Sequence, residues 1–335
     1  MTDQRHPFYG HLARLFNAEV STGIINLRNY CGEDAMTAGQ AAILQHYLVT
    51  NRRDYLEIPS LKVGERPSVV CRELDIAANG LTGVLLEGIA QVLTHHPVPY
   101  TLSVDDNPIG AVGARALARH CLVPRQTHLN LLSIRDCQVN QQGMVELFQS
   151  LQRNGTVERL EVAGIILTPA TVAHLSDALS VNTSLLSLHM ERTRLRDEGC
   201  GALARGLEHT RSLAWINIEH CEIGDPGLQH LRRAMENNQA VIQYDLSHNQ
   251  ISSAGLEGLA ETLRRQRHPV IFSRRYPLMI WLRENEQFSP ESIQALLAGN
   301  AENPQSYACV MIDNPLAEES FRSVRNNRVG AAPEP

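Results

Sequence analysis

Lysine is almost missing from this 335-residue chain: Lys62 is the only one, against 29 arginines. A GC-rich coding sequence and selection against ubiquitin acceptors are the two explanations for that bias. Aromatic residues are also scarce, at 5%, with two tryptophans. None of the seven cysteines forms a CxxC pair, which argues against a zinc clip or a disulfide framework. No run of 18 apolar residues occurs, and Met1 to Phe16 lacks the apolar core of a secretory signal. These absences predict a protein of a reducing, cytoplasmic compartment, without a membrane partner. Lys62 is followed by valine, so there is no P-loop, and HExxH and GxSxG are absent too. A net charge of −6 weighs against general adhesion to nucleic acid or anionic lipid and favours basic partners.

What the chain does have is a period. Asn79, Asn107, Cys137, Ile165, Thr193, Cys221 and Asn249 occupy one position, here numbered zero, at spacings of 28 residues with a single 30. Around it, position −5 holds Leu74, Leu102, Leu132, Leu160, Leu188, Ile216 and Tyr244. Position −3 holds Ile76, Val104, Ile134, Val162, Met190, Ile218 and Leu246. This alternation is that of a strand. Apolar residues at +10 and +14, such as Leu203 and Leu207, have helical spacing. Each unit therefore reads as strand, turn and helix, and can bury its apolar side only by stacking on the next. Glycine at +6 (Gly113, Gly143, Gly199, Gly227, Gly255) suits a tight or left-handed turn into the helix.

This L-x-L-x-x-N/C-x-L pattern, over residues 71–263, resembles the leucine-rich repeats, in particular the long-repeat class similar to ribonuclease inhibitor. The resemblance implies an α/β solenoid shaped as a horseshoe, with a parallel sheet on its concave face and helices outside. It also implies that asparagine at zero bonds the backbone of the adjacent turn, with cysteine and threonine as substitutes. Ile165 departs from that pattern and predicts an irregularity in the unit from Val157 to Leu179.

Terminal units should be atypical because they cover an exposed core. Residues 1–70 read as a degenerate capping unit, with a strand Ile24–Leu27, a helix Thr37–Leu48 capped by Thr37, a short strand Tyr55–Ile58 and a loop at KVGERPS. Residues 264–313 read as an irregular last repeat, with strands Leu278–Leu282 and Tyr307–Ile312 around a helix Ser289–Ala298 that opens with Pro290 and stops at Gly299. Residues 314–335 lack periodicity and predict a mobile tail.

Positions −6, −4 and −2 point away from the core, and −1 lies at the strand edge. They carry Glu73, Asp75, Asp105, Asp106, Asp136, Glu161, Glu191, Glu219 and Asp245, against Arg135, Arg159 and Arg192. Trp215 and Trp281 add apolar area for a hot spot. The expected binding face is thus Asp75, Asp105, Arg135, Glu161, His189, Glu191, Trp215, Glu219, His220, Asp245, His248 and Trp281, an acidic groove for a protein with a basic segment. A metal or pH-switch role for His189, His220 and His248 beside Glu191 and Glu219 ranks below exposed polar residues of a binding face, so no metal is assigned. Arg264, Arg265, Arg267, Arg274 and Arg275 form a second, basic surface, while the first 263 residues carry a net −7. Cys71, Cys121, Cys137 and Cys221 read as structural thiols. The GxGxxA at Gly199, Gly201 and Ala204 is absorbed by the +6 glycine, so no nucleotide or other cofactor is expected, nor a small-molecule substrate.

The resulting reading is a non-enzymatic interaction scaffold or adaptor, alone or within a cytoskeletal (flagellar) or regulatory assembly. Two alternatives rest on resemblance. One is a GTPase activator similar to the Ran type, whose acidic tail this chain lacks. The other is a bacterial effector delivered into a host cell, whose repeats carry GAxALA, as GARALA does at Gly113 to Ala118, but without a recognisable F-box-like segment.

Overall fold

The computed structural model describes residues 7, 11, 24–32, 34–54, 73–94, 101–122, 129–238, 240–265, 278–302 and 308–312, and divides the chain into two compact units, 1–165 and 166–335. The expected strand Tyr55–Ile58, the KVGERPS loop, Cys71 and the tail fall outside the described residues.

In unit 1 the strands are β1 (Ile24–Asn26), β2 (Glu73–Asp75), β3 (Thr101–Ser103), β4 (Leu131–Ser133) and β5 (Arg159–Glu161). They pair in parallel in chain order, with Ile25, Leu74, Leu102, Leu132 and Leu160 in one register line. Between them run α1 (Ala38–Asp54), α2 (Gly83–Thr94), α3 (Gly110–Leu117) and α4 (Gln141–Leu151). Thr37 caps α1 reciprocally with Gln40: each backbone N–H donates to the other side chain, at 2.8 and 3.2 Å. After α3 the helix widens into one π-helical turn, Ala118–Leu122, within the single 30-residue repeat. Such a turn absorbs extra sequence without breaking the helix.

Unit 2 repeats the plan, with β6 (Ser187–His189), β7 (Trp215–Asn217), β8 (Gln243–Asp245), β9 (Leu278–Trp281) and β10 (Ala308–Met311). These strands are again parallel and in order, aligning Leu188, Ile216, Tyr244 and Ile280. Its helices are α5 (Pro169–Val181), α6 (Arg196–His209), α7 (Asp225–Asn237), α8 (Ser253–Arg265) and α9 (Pro290–Glu302). Every −5 and −3 residue of the repeats is buried. Burial of this kind stabilises by about 1.5–3 kcal/mol per large aliphatic side chain.

The turn after each strand is held by position zero. Asn107 Nδ2 donates to the carbonyls of Ile76, Val104 and Asp105, and its Oδ1 accepts from Asn79 N and Leu81 N at 3.0 and 2.8 Å. Asn249 repeats this with Cys221 N and Ile223 N, and Asn285 continues it in the last, 36-residue step. The substitutes keep the donor contact, Cys137 Sγ donating to Val104 O and Thr193 Oγ1 to Met190 O, and Cys137 and Cys221 also accept backbone N–H groups of the preceding repeat. At Thr193 the acceptor becomes its own backbone oxygen, which takes Leu167 N at 3.0 Å. Ile165 can do neither, and the division between the two units falls immediately after it. The preceding Gly164 has φ +74°, and a Cβ there would run into the Asp136 carboxylate. A second ladder escaped the reading above. Asn154, Asn182, Thr210 and Asn238, 28 residues apart, each accept a backbone N–H from the residue three positions on, closing the turn from helix to next strand.

Two expectations about glycine need correction. The +6 glycines lie inside helices with ordinary φ, and what they need is space. A Cβ on Gly113, Gly143, Gly199, Gly227 or Gly255 would press on the apolar residue four positions earlier, Ile109, Val139, Leu195, Ile223 or Ile251. Likewise Gly299 does not end the last helix, which runs on to Glu302; a Cβ there would strike the Ala260 carbonyl of α8. Helix α1 also continues past Leu48 to Asp54.

Candidate functional site

The outward-facing strand residues form registered rows, and the two units fill them differently. In unit 1, Asp75, Asp105 and Glu161 are buried, although they lie on the outward side of their strands. Asp75 receives Arg28 Nε at 2.9 Å, and the same guanidinium reaches Asp105 at 3.5 Å. Asp105 Oδ1 also accepts from Ser133 Oγ and from Arg135 N. Glu161 takes Arg135 Nε at 2.7 Å and Arg159 Nε at 2.6 Å. Burial pushes the Glu161 carboxyl up, but the charges of Arg135 and Arg159, with hydrogen bonds from Ser133 and Arg159, outweigh it and hold it below the usual carboxylate range. Arg28 was absent from the sequence reading. It occupies −2 of the degenerate first unit, and carrying the frame from Ile25 would have exposed it.

In unit 2 the row at −4 runs His189, Asn217, Asp245 and Trp281, and the row at −6 contains Trp215. His189 is sealed in: its Nε2 meets Ser187 Oγ at 2.9 Å, its Nδ1 faces Glu191 Oε1 at 3.4 Å, and its ring packs edge-on against Trp215 at 4.6 Å. Asn217 Nδ2 donates to the same Glu191 oxygen at 2.9 Å. The Glu191 side chain is only 12% exposed, whereas Glu219 is 30% exposed. Glu219 Oε1 lies alongside the Nε2 atoms of His220 and His248, whose rings stack 4.1 Å apart. Asp245 Oδ1 accepts from Ser247 N at 3.0 Å. The twelve expected face residues are thus gathered by their own unit, four in unit 1 and eight in unit 2.

The basic cluster is described only at Arg264 and Arg265, both of which pair with Glu261, at 3.1 and 2.7 Å. Arg267, Arg274 and Arg275 lie outside the described residues. Of the described thiols, Cys121, Cys137, Cys200 and Cys221 are buried, and burial pushes Cys121 and Cys137 up to about 12 and raises Cys200 and Cys221, which disfavours the thiolate. Among the described residues no helix is long and apolar enough to cross a membrane.

The leucine-rich-repeat family profile matches residues 101–118, 181–204 and 245–260, each containing all or the end of a strand and reaching into the following helix. No curated protein matches the sequence. Among solved structures, the chain overlaps "Leiomodin-1 Actin-Binding Site 2 (ABS2)" at 13% identity, covering 56% of this chain and 96% of that one, with a TM-score of 0.39. It also overlaps the tropomodulin C-terminal domain of Caenorhabditis elegans at 13% identity, over 57% and 99% of the two chains, with a TM-score of 0.34. Overlap at that level says nothing about partners. The registered 28-residue strand–helix units, the zero-position ladder and the three profile matches together show that the chain carries leucine-rich repeats, which resemble those of the ribonuclease-inhibitor-like type.

Proposed function

We propose that the protein is a non-enzymatic interaction scaffold of the cytoplasm or cytoskeleton, and that the outward strand face of unit 2 docks a protein with a basic segment. The observation that carries this is the contrast in how the rows are filled. In unit 1 arginines of the same chain already cover Asp75, Asp105 and Glu161. Unit 2 instead leaves Trp215 and Trp281 half-buried and registers Trp281 next to Asp245. A large aromatic next to a carboxylate is the composition of a hot spot for an arginine- or lysine-bearing partner. Because parallel strands and two side-chain ladders hold the backbone, little ordering cost remains to be met on binding.

The test is a pull-down from native cytosolic and cytoskeletal extracts with wild type, Trp281→Ala/Glu219→Arg and Arg135→Gln. The proposal expects one protein to be captured by wild type and Arg135→Gln and lost with the double variant. Capture that survives the double variant but fails with Arg135→Gln would move the site to unit 1. Glu191 is unsuited to charge reversal, because an arginine there would enter a site that is nearly closed and already bonded to Asn217 and His189. The non-enzymatic part has its own check: single-turnover GTP hydrolysis by a panel of GTPases should be unchanged by the protein, and an acceleration of about tenfold or more would make it an activator.

A further inference from the structure

Glu219, His220 and His248 do more than decorate the face. The two histidines occupy the same −1 position in successive repeats, and both have left-handed backbone, φ 53° and 54°. The shared conformation fixes the rings one strand apart, stacked at 4.1 Å and 13° from parallel. Left-handed backbone alone does not explain histidine, since Ala78, Asp106, Asp136, Arg192 and Glu284 serve at the same position. The arrangement is distinguished by Glu219, one residue before His220. Its Oε1 lies 3.8 Å from His220 Nε2 and 3.6 Å from His248 Nε2, so both imidazoles present the same nitrogen to one carboxylate oxygen. One donor atom from each of the three residues falls within 4.8 Å of the others.

We propose that Glu219, His220 and His248 form a binding site for a divalent transition-metal ion, Zn²⁺ foremost, on the strand face of unit 2. Ligand bonds of about 2.0–2.2 Å at tetrahedral angles put neighbouring donor atoms about 3.3–3.5 Å apart. The 3.6 and 3.8 Å separations already bring the carboxylate to both nitrogens, and ion binding would turn the two rings out of their stack so that both Nε2 lone pairs point at one ion. The donor set, two imidazoles and one carboxylate, is a common set for an open zinc site, leaving the fourth position to water or to a side chain of a docked protein. Nitrogen donors select such an ion over Mg²⁺ or Ca²⁺, which prefer all-oxygen shells. Among the described residues the cysteines are poor competitors, being buried or half-buried with their thiols raised. In the −1 row the flanking residues, Arg192 before His220 and Glu284 after His248, carry opposite charges, so the row adds no net repulsion of a cation. The partner-binding proposal is not needed for any of this, because the ion is held by the chain alone.

The experiment is isothermal titration of the untagged full chain with ZnCl₂ under a non-thiol reductant, with MgCl₂ as a control and with the variants Glu219→Gln and His220→Asn/His248→Asn. Asparagine is chosen because it tolerates left-handed backbone, and unfolding curves in chelator verify that each variant folds like wild type. Wild type should bind one Zn²⁺ and no Mg²⁺. The double variant should lose that event, and Glu219→Gln should weaken it by about tenfold or more. No Zn²⁺ bound by wild type, Mg²⁺ bound as well as Zn²⁺, or an undiminished event in the folded double variant would each overturn the site.

Discussion

The two units share one frame and differ in what covers their outward strand faces. In unit 1 the carboxylates are closed by arginines, Arg28 from the first strand's turn and Arg135 and Arg159 from within the repeats. In unit 2 the carboxylates sit among imidazoles, an amide and two indoles. Guanidinium stays charged at any pH a protein survives, so the face of unit 1 is a fixed, self-neutralised network. Imidazole and indole carry no fixed charge, so the face of unit 2 is not closed by its own ion pairs in the way that of unit 1 is. The difference lies in positions −6, −4, −2 and −1, which face away from the core.

The sharpest way to break the shared-frame half of that comparison is a core truncation in each unit. Leu132→Ala and Leu188→Ala, at equivalent −5 positions and both fully buried, should each cost about 2–5 kcal/mol in urea unfolding. A negligible cost in either would mean the frame is wrong there. Next come the ladders. Asn249→Ala strips two backbone N–H groups and three carbonyls of their partner and should cost at least about 1–3 kcal/mol, whereas Thr193→Ala, with one carbonyl bond, should cost less. Equal losses would contradict the ranking. Tyr244 separates the units in the opposite sense. It occupies a −5 position where unit 1 has leucine, and among the described residues its buried hydroxyl meets no partner. Tyr244→Phe should therefore raise the unfolding free energy by up to about 1–3 kcal/mol, and a lower value would reveal a partner for that oxygen.

The smallest effect is electrostatic. Glu161 ionises more readily folded than unfolded, so its contribution is present above the unfolded pKa of about 4.3 and fades as pH falls through the lower folded value. Wild type should exceed Glu161→Gln by about 1 kcal/mol or less near neutrality, with the gap closing in acid. A gap that widens in acid would reverse the assigned direction.

The architecture was legible because one stacking requirement repeats seven times in register between Asn79 and Asn249, and a strand alternation followed by helical spacing has few other solutions. Side-chain direction could be read as well, which is how His189, Trp215, Glu219 and Trp281 were assigned to one face. Burial was not legible. Asp75 and Asp105 look solvated in sequence, but the arginine that covers them comes from a turn 47 residues or more upstream, in a unit too degenerate for its −2 position to stand out. The +6 glycines were recognised and misexplained, since close packing against a residue four positions back leaves the same signature as a left-handed turn. The convergence of two histidines on one carboxylate depends on ring rotamers, which no spacing reveals.

Photo-crosslinking tests the central claim most directly. A benzophenone amino acid placed at Gln243, on the face of unit 2, or at Thr101, at the equivalent −6 position in unit 1, is irradiated in native extract. The account predicts a protein adduct of defined mass from Gln243 and none from Thr101. An adduct from Thr101 alone would contradict it, and would mean that the arginine-covered face is the one that binds.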